Sequence, residues 1–151
     1  MPDETIVVAY CFDRNYAPFA AVSTHSLLKH SKSKFRIYWC TGEADAEYAR
    51  ELARTLAEKV LHEPIVVALN AEHVSNWRTS HGGRLASHYS TATFFRLLLP
   101  DALPEDRIIY IDCDTIVQSD LAEIFALDMG GKYIGAVPDR WADRPPTSGP
   151  T

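Results

Sequence analysis

Short runs of β-branched and aromatic residues alternate with helical patterns in the first half of the chain, and this alternation constrains the fold more than any other feature. The runs at 5–11, 35–41 and 65–69 predict strands. Residues 18–30 and 45–60 predict helices, the second because its apolar residues recur at helical spacing. A strand–helix–strand–helix–strand order predicts an α/β fold with a parallel sheet and right-handed crossovers.

The start of the first predicted helix carries recognisable signals. Asn15 is a good N-cap, and Pro18 suits the first helical turn. We expect three apolar side chains of this helix to face the sheet: Phe19, Val22 and Leu27.

The second half of the chain is less regular. Residues 71–87 mix polar residues with glycines and predict an irregular loop or a flap, and 89–99 predict a helix with Ser90 as its N-cap. The apolar run at 108–111 predicts a buried central strand of the parallel sheet.

The last forty residues add two expected elements and a tail to a domain that we expect to be incomplete at its C-terminal end. We predict a short helix at 121–127 and a further strand at 132–137. Prolines mark 140–151 as a loop or a disordered tail. The predicted domain therefore covers residues 1–139.

Two acids, Asp112 and Asp114, follow the predicted strand at 108–111. Side chains two apart on an extended backbone point the same way, so both carboxylates can reach one point. Two like charges about 4 Å apart repel by about 4 kcal/mol at an effective dielectric near 20, which a proton or a cation must relieve. One interpretation is a divalent-metal site for a phosphate-bearing ligand at the carboxyl edge of the sheet. The other is a turn cap at Asp112 beside a solvated Asp114.

Arg96 is the single charged residue in the apolar segment 94–99. A long arginine can bury its stem and keep its head in water. If the head instead reaches the carboxyl edge of the sheet, it can clamp a phosphate. Position alone leaves both interpretations open.

Composition and cysteine usage exclude several classes of protein. The 151 residues are 46% hydrophobic with a net charge of −5, which argues against a broad nucleic-acid surface. No apolar run is long enough to cross a membrane, and the acidic start predicts no signal peptide. The three cysteines, Cys11, Cys40 and Cys113, are odd in number and widely spaced. They predict reduced, mostly buried thiols in a cytoplasmic protein and no zinc site.

Three segments of the chain together carry a specific pattern. They are Cys-Phe-Asp-Arg-Asn-Tyr at 11–16, Arg96 within Phe-Phe-Arg-Leu, and Ile-Asp-Cys-Asp at 111–114 followed by Leu121. In order and spacing they resemble the retaining glycosyltransferases of family eight, which include the bacterial lipooligosaccharide galactosyl- and glucosyltransferases and the glycogenins. The resemblance covers about residues 5–139.

The resemblance implies a GT-A fold, with a mostly parallel sheet flanked by helices, that binds UDP-galactose or UDP-glucose. By match to the family motif, Asp13, Asn15 and Tyr16 would hold the uridine. Tyr16 would stack on the base and Asp13 would hydrogen-bond to it, while Cys11 would contact the base through its backbone.

The resemblance also assigns roles to the residues that would contact the sugar donor, the metal and the acceptor. Arg96 matches the arginine that contacts the sugar donor, and Asp112 and Asp114 match the ligands of Mn²⁺ or Mg²⁺, with Asp112 also near the ribose. The metal would act as a Lewis acid on the leaving UDP, and transfer would retain the anomeric configuration. His88 and Asp139 match positions on the acceptor side.

Most of these residues also have a plain structural interpretation. Asp13 and Asn15 suit an ordinary turn. Tyr16 suits the core, His88 suits a surface position, and Asp139 suits a loop.

Two other functions remain open at this point. The Asp-x-Asp at a strand end also resembles the first motif of haloacid-dehalogenase-like phosphatases, in which Asp112 would be the nucleophile and Asp114 the general acid/base. That motif normally opens its domain, whereas here it comes late. A non-catalytic module that binds a UDP-sugar, or that needs a partner chain, is the second alternative.

The family has further motifs that are not in these 151 residues, among them an Asn-x-Gly segment and a late histidine that completes the metal site. We therefore expect an N-terminal part of a longer enzyme, with weak or no transfer activity by itself. Its expected partners are a UDP-sugar donor and a glycan or lipid-linked sugar acceptor. Exposed sheet surface would favour self-association. The expected location is the cytoplasm, or the inner face of the membrane for a longer enzyme.

Overall fold

Four parallel strands form the sheet in the computed structural model, which describes residues 5–72, 74 and 90–138. All three neighbouring pairs are parallel, and the strand order is β3-β2-β1-β4. The strands are β1 (Ile6–Cys11), β2 (Phe35–Gly42), β3 (Ile65–Leu69) and β4 (Ile109–Tyr110). The predicted α/β class is confirmed, and the carboxyl ends of all four strands lie at one edge of the sheet.

Helices connect the strands in the predicted order. A 3₁₀ turn at Glu43–Asp45 leads into the second helix. A 3₁₀ helix at Thr91–Leu98 runs directly into the third. The α-helices are α1 (Ala17–His30), α2 (Ala46–Val60), α3 (Leu99–Ala102) and α4 (Ala122–Phe125).

The core lies around β1 and the middle of β2. Every residue of β1 is buried, as expected for a parallel strand covered on both faces. The Phe12 and Trp39 rings meet edge to face with centroids 5.5 Å apart. The buried Trp39 indole N–H donates to the Thr24 hydroxyl at 3.0 Å, so its polar atom is satisfied.

Helix α1 packs differently from the prediction. Leu27 is fully buried as expected, but Phe19 and Val22 are more than half exposed. The buried face is made largely of small residues, which let the helix approach the sheet closely. Asn15 is also not the N-cap, because the structure places Tyr16 there. The buried residues are Ala17, Ala20, Ser23, Thr24, Ser26 and Leu27.

Helix α2 follows its sequence pattern. Ala49, Ala53 and Leu56 are buried at helical spacing, as predicted. The helix ends at Leu61, which is left-handed with φ 54° and donates its N–H to the Ala57 carbonyl at 2.9 Å. Leu61 is the C-cap of this helix, and its side chain is exposed.

Three predictions in the second half are wrong in part. The helix predicted at 89–99 is mostly a 3₁₀ helix, and the α-helix begins only at Leu99. The central strand predicted at 108–111 is a two-residue, half-buried strand at the edge of the described sheet. Residues 132–137 form no strand, since none of them pairs with a strand of the described sheet, and they are exposed.

Two further expectations concern the cysteines and membrane-spanning segments. All three cysteines are buried free thiols, as predicted. Among the described residues, no helix has both the length and the apolar character that a membrane span requires. The expected tail at 140–151 and most of the loop at 71–87 lie outside the described residues, but Ala71, Glu72 and Val74, at the start of that loop, are helical and not irregular.

Candidate functional site

The loop after β1 is organised by Asp13. Its Oδ1 accepts the backbone N–H groups of Asn15 at 3.0 Å and Tyr16 at 3.3 Å. Its backbone carbonyl accepts the N–H of Tyr16 at 3.0 Å and of Ala17 at 3.1 Å, which starts α1. The turn interpretation of Asp13 is therefore confirmed, and the turn also fixes where Tyr16 emerges.

Tyr16 is exposed, which rules out the core interpretation of this residue. Its side chain is 49% accessible, and its ring lies beside that of the exposed Phe19, with centroids 5.6 Å apart. Asn15 is exposed as well. Asn15 and Tyr16 are thus available to a ligand at the carboxyl end of β1.

Two thiols connect the first strand with the Asp-x-Asp segment. Cys113 is buried, and its Sγ donates to the Cys11 carbonyl oxygen at 3.4 Å. A hydrogen bond to the Cys40 thiol and burial raise the pKa of Cys11 far above its usual range. The Cys11 side chain is therefore a neutral thiol. The contact between its backbone and a base remains a prediction.

The Asp-x-Asp segment is a turn and not a continuing strand, contrary to the extended backbone assumed from the sequence. Cys113 and Asp114 form the turn, and the Thr115 hydroxyl donates to the Asp112 carbonyl oxygen at 2.7 Å. The Thr115 hydroxyl also lies 3.3 Å from the Ser23 hydroxyl of α1. Both carboxylates nevertheless remain exposed, on either side of the buried Cys113.

Arg96 reaches the carboxyl edge of the sheet. Its Nη2 donates to Oδ1 of Asp112 at 3.1 Å, while its Nε donates to the Thr93 carbonyl at 2.8 Å. The guanidinium lies 4.6 Å from the centroid of the Tyr110 ring. With its side chain 38% accessible, the positive head sits beside the acids and can still reach a ligand.

The pKa of the Cys113 thiol shows which charges surround this turn. Burial, followed by the carboxylates of Asp112, Asp114 and Asp13, raises the pKa of Cys113 to about 12. The positive charge of Arg96 acts in the opposite direction. The structure thus gathers four of the predicted site residues within electrostatic range of one buried thiol.

A cavity of about 570 Å³ opens at the carboxyl ends of β1, β2 and β3. It shares Asp13 with this cluster, whereas Arg96, Asp112 and Asp114 are not among its lining residues. Asn70, Ala92 and Phe95 are among its lining residues. Four carboxylate-bearing residues also line it, so an anionic ligand would need positive charge nearby. These acids are Asp13, Glu43, Asp45 and Glu72.

A divalent cation fits this donor set only with help from a ligand. Among the described ranges, no cluster of three or more histidine, cysteine or acidic residues could hold a metal. Asp112 and Asp114 supply hard carboxylate oxygens from exposed positions. Mg²⁺ and similar ions are commonly held by one or two carboxylates together with phosphate oxygens and water, so the residues present fit such an ion.

Two predicted residues, His88 and Asp139, lie outside the described residues. A different residue, Tyr110, belongs to the cluster and was missed, since its hydroxyl donates to Oδ1 of Asp112 at 2.8 Å. The signal was in the sequence: Tyr110 precedes Asp112 by two, and side chains two apart share a face of a strand.

Comparison with known sequences decides the family. Residues 7–149 match the model of glycosyl transferase family 8. The chain belongs to this family. Membership supports the glycosyltransferase interpretation over the phosphatase one.

Curated relatives of this family 8 chain are longer than it. Glycosyltransferase GlyE of Streptococcus pneumoniae serotype 4 is 28% identical over 130 residues, which are 85% of this chain and 30% of GlyE. General stress protein A of Bacillus subtilis is 28% identical over 144 residues, 91% of this chain and 47% of that protein. The chain therefore spans less than half the length of each.

Solved structures establish the fold. The galactosyltransferase LgtC, in complex with donor and acceptor sugar analogs, superposes with a TM-score of 0.64 at 22% identity. The match covers 82% of this chain and 43% of LgtC. The apo form of GlyE gives a TM-score of 0.65 at 24% identity over 93% of this chain and 31% of that one. The predicted GT-A fold is confirmed.

Proposed function

We propose that this chain binds the donor in a metal-dependent retaining glycosyltransferase, which moves a hexose from UDP-galactose or UDP-glucose to a glycan or lipid-linked acceptor. Asp112 and Asp114 are exposed on either side of the buried Cys113, at the carboxyl edge of a parallel sheet and beside Arg96. This arrangement carries the proposal, because ligands of open α/β sheets bind at that edge.

The electrostatics of the edge favour a cation-bridged diphosphate. The cavity is lined by four acids, so a diphosphate entering alone would meet like charge. A divalent ion held by Asp112 and Asp114 would offset that repulsion, and Arg96 would add a second positive charge. Arg96 is well suited to phosphate oxygens because its guanidinium donates along two parallel directions.

The loop after β1 supplies the surface for the nucleoside. The exposed Tyr16 ring offers a flat face on which a base can stack, an interaction typically worth about 1–3 kcal/mol. Only Oδ1 of Asp13 is used in its turn, so its other carboxylate oxygen is left for a base or ribose hydroxyl. The donor analog bound by LgtC supports a sugar-donor site in a fold of this kind.

In the proposed reaction, Asp112 and Asp114 hold the metal, which when bound supplies Lewis acidity to the leaving UDP. Arg96 stabilises negative charge on the phosphates or orients the sugar. Tyr16 and Asp13 hold the uridine in place. The Cys11 and Cys113 thiols are buried and neutral, so they add no charge to the site. His88 and Asp139 stay predictions for the acceptor side.

The test is calorimetric titration of UDP into the purified protein with and without Mn²⁺. We expect binding that depends on Mn²⁺ and is lost in the Asp112→Ala, Asp114→Ala double variant. A matched control is the Asp101→Ala, Asp106→Ala double variant, which removes the same charge from two exposed acids elsewhere. Equal binding by the site variant and the control would refute the proposal.

A further inference from the structure

Both hydrogen bonds to the Asp112 carboxylate in the described part of the chain end on one oxygen. The Tyr110 hydroxyl donates to Oδ1 at 2.8 Å, and Nη2 of Arg96 donates to the same atom at 3.1 Å. The arginine also lies over the tyrosine ring, so the three side chains form one cluster. The second oxygen, Oδ2, is left for another ligand.

Tyr110 is held more firmly than either of its partners. It lies in β4, in register with Ala9 of β1, and the next residue, Ile111, donates its N–H to the Ala9 carbonyl at 3.0 Å. A tyrosine hydroxyl ordinarily ionises only near about pH 10, so at neutral pH it carries its proton and donates.

Asp112 by contrast needs an external restraint. Its side chain is 55% accessible, and the residue lies two positions beyond the end of β4. The Thr115 hydroxyl fixes only its carbonyl oxygen, at 2.7 Å. The direction of the carboxylate depends on the two donors at Oδ1.

We propose that Tyr110 is a positioning residue whose hydroxyl holds Oδ1 of Asp112 and so presents Oδ2 to the divalent cation. This inference rests on the proposed function. Arg96 cannot fill the role alone, because the same proposal turns its guanidinium towards the donor. Tyr110 is anchored in the sheet and stays at Oδ1 throughout.

Two effects of removing the hydroxyl oppose each other. Without the donor, Oδ1 keeps more negative charge, which would tighten cation binding. Without the restraint, the carboxylate samples more directions, and groups that orient metal ligands are typically worth about 10–100-fold in affinity. We expect orientation to dominate, at about the lower end of that range because Asp112 is exposed.

The experiment compares Tyr110→Phe with Tyr38→Phe. The first variant removes one hydroxyl and keeps the ring under Arg96. The second removes a hydroxyl of the same kind, which donates to Glu105 at 2.6 Å outside this cluster. Mn²⁺ binding in the presence of UDP is followed by the paramagnetic resonance of free Mn²⁺. UDP affinity without metal and the melting temperature are measured in parallel.

We expect Tyr110→Phe to weaken Mn²⁺ binding about tenfold while UDP affinity without metal and the melting temperature change little. Tyr38→Phe should bind Mn²⁺ within about twofold of the parent protein. If Tyr110→Phe binds Mn²⁺ as tightly as the parent or more tightly, or if both affinities fall together, the positioning role is wrong and the proposed function stands. If the parent protein itself shows no saturable Mn²⁺ binding with UDP, the proposed function fails, and this inference fails with it.

Discussion

Asp120 joins two segments of the chain through its carboxylate. Its Oδ2 accepts the backbone N–H groups of Lys32 at 2.9 Å and Ser33 at 3.2 Å. Its Oδ1 accepts the Ser33 hydroxyl at 2.8 Å and the N–H of Ala122 at 3.0 Å. The side chain thus ties the loop between α1 and β2 to the start of α4, and we predict that Asp120→Ala destabilises the fold substantially.

The magnitude follows from these four contacts. An intramolecular hydrogen bond contributes a net of about 0.5–1.5 kcal/mol to stability. Because Asp120 is partly exposed, the donors freed by its removal can form hydrogen bonds with water, and we therefore take the lower half of that range. Four contacts then give about 2–4 kcal/mol. For a domain of about 150 residues, each kcal/mol moves the melting temperature by about 2–4 °C, so a fall of about 4–16 °C is expected.

The loss of stability in the Asp120→Ala variant should depend on pH in a defined direction. The nearby Ser31 hydroxyl, then the Ser33 hydroxyl and the N–H groups of Lys32 and Ala122, stabilise the carboxylate charge and outweigh burial, so the pKa of Asp120 lies well below its usual range. A carboxyl group with a depressed folded-state pKa stabilises the fold above its unfolded pKa, about 3.9. That stabilisation is lost as the pH falls through 3.9 towards the folded value.

Urea unfolding followed by circular dichroism at pH 7 and near pH 3 measures both effects. Asp128→Ala is the matched control, because that carboxylate accepts one backbone N–H, from Gly130 at 2.8 Å, and should cost about 1 kcal/mol or less. The reasoning is refuted if Asp120→Ala costs no more than the control at pH 7. It is also refuted if the difference in the free energy of unfolding between the parent protein and Asp120→Ala is as large near pH 3 as at pH 7.

Two further predictions concern the end of α2 and the thiols. Leu61 is left-handed and 93% exposed, so Leu61→Gly should raise the free energy of unfolding by about 1 kcal/mol in urea titrations, whereas Leu61→Ala should change it little. Because burial, followed by the neighbouring carboxylates, raises the pKa of Cys113 to about 12, and because Cys11 and Cys40 are also buried, iodoacetamide at pH 8 should leave all three thiols unmodified in the folded protein. Mass spectrometry should find all three alkylated in urea, and rapid labelling of the folded protein would contradict this prediction.

The alternation of strands and helices could be predicted from the sequence because it depends on local periodicity. The runs at 35–41 and 65–69 and the helix at 45–60 all appear within a residue of their predicted bounds. Helix α1 was placed correctly, but its buried face was not. Ser23 and Thr24 are buried because Tyr10 and Trp39 supply hydrogen-bond partners, which periodicity cannot reveal.

The candidate site was predictable as a set of residues but not as an arrangement. The sequence order of Asp13, Arg96, Asp112 and Asp114 suggested a common site at the carboxyl edge, and the structure gathers all four around Cys113. It did not suggest that Tyr110 shares an oxygen of Asp112 with Arg96, because that contact joins a helix, a strand and a turn.

The amino-acid sequence by itself determined the parallel α/β class, most element bounds and the family, because periodicity and motif spacing are properties of the chain. Tertiary structure alone decided that the 108–111 strand lies at the edge of the described sheet and that the Asp-x-Asp segment turns. It also decided that Arg96, from the 3₁₀ helix, shares Oδ1 of Asp112 with Tyr110. These features depend on which distant backbone and side-chain groups satisfy one another's hydrogen bonds, and local sequence does not encode those partners.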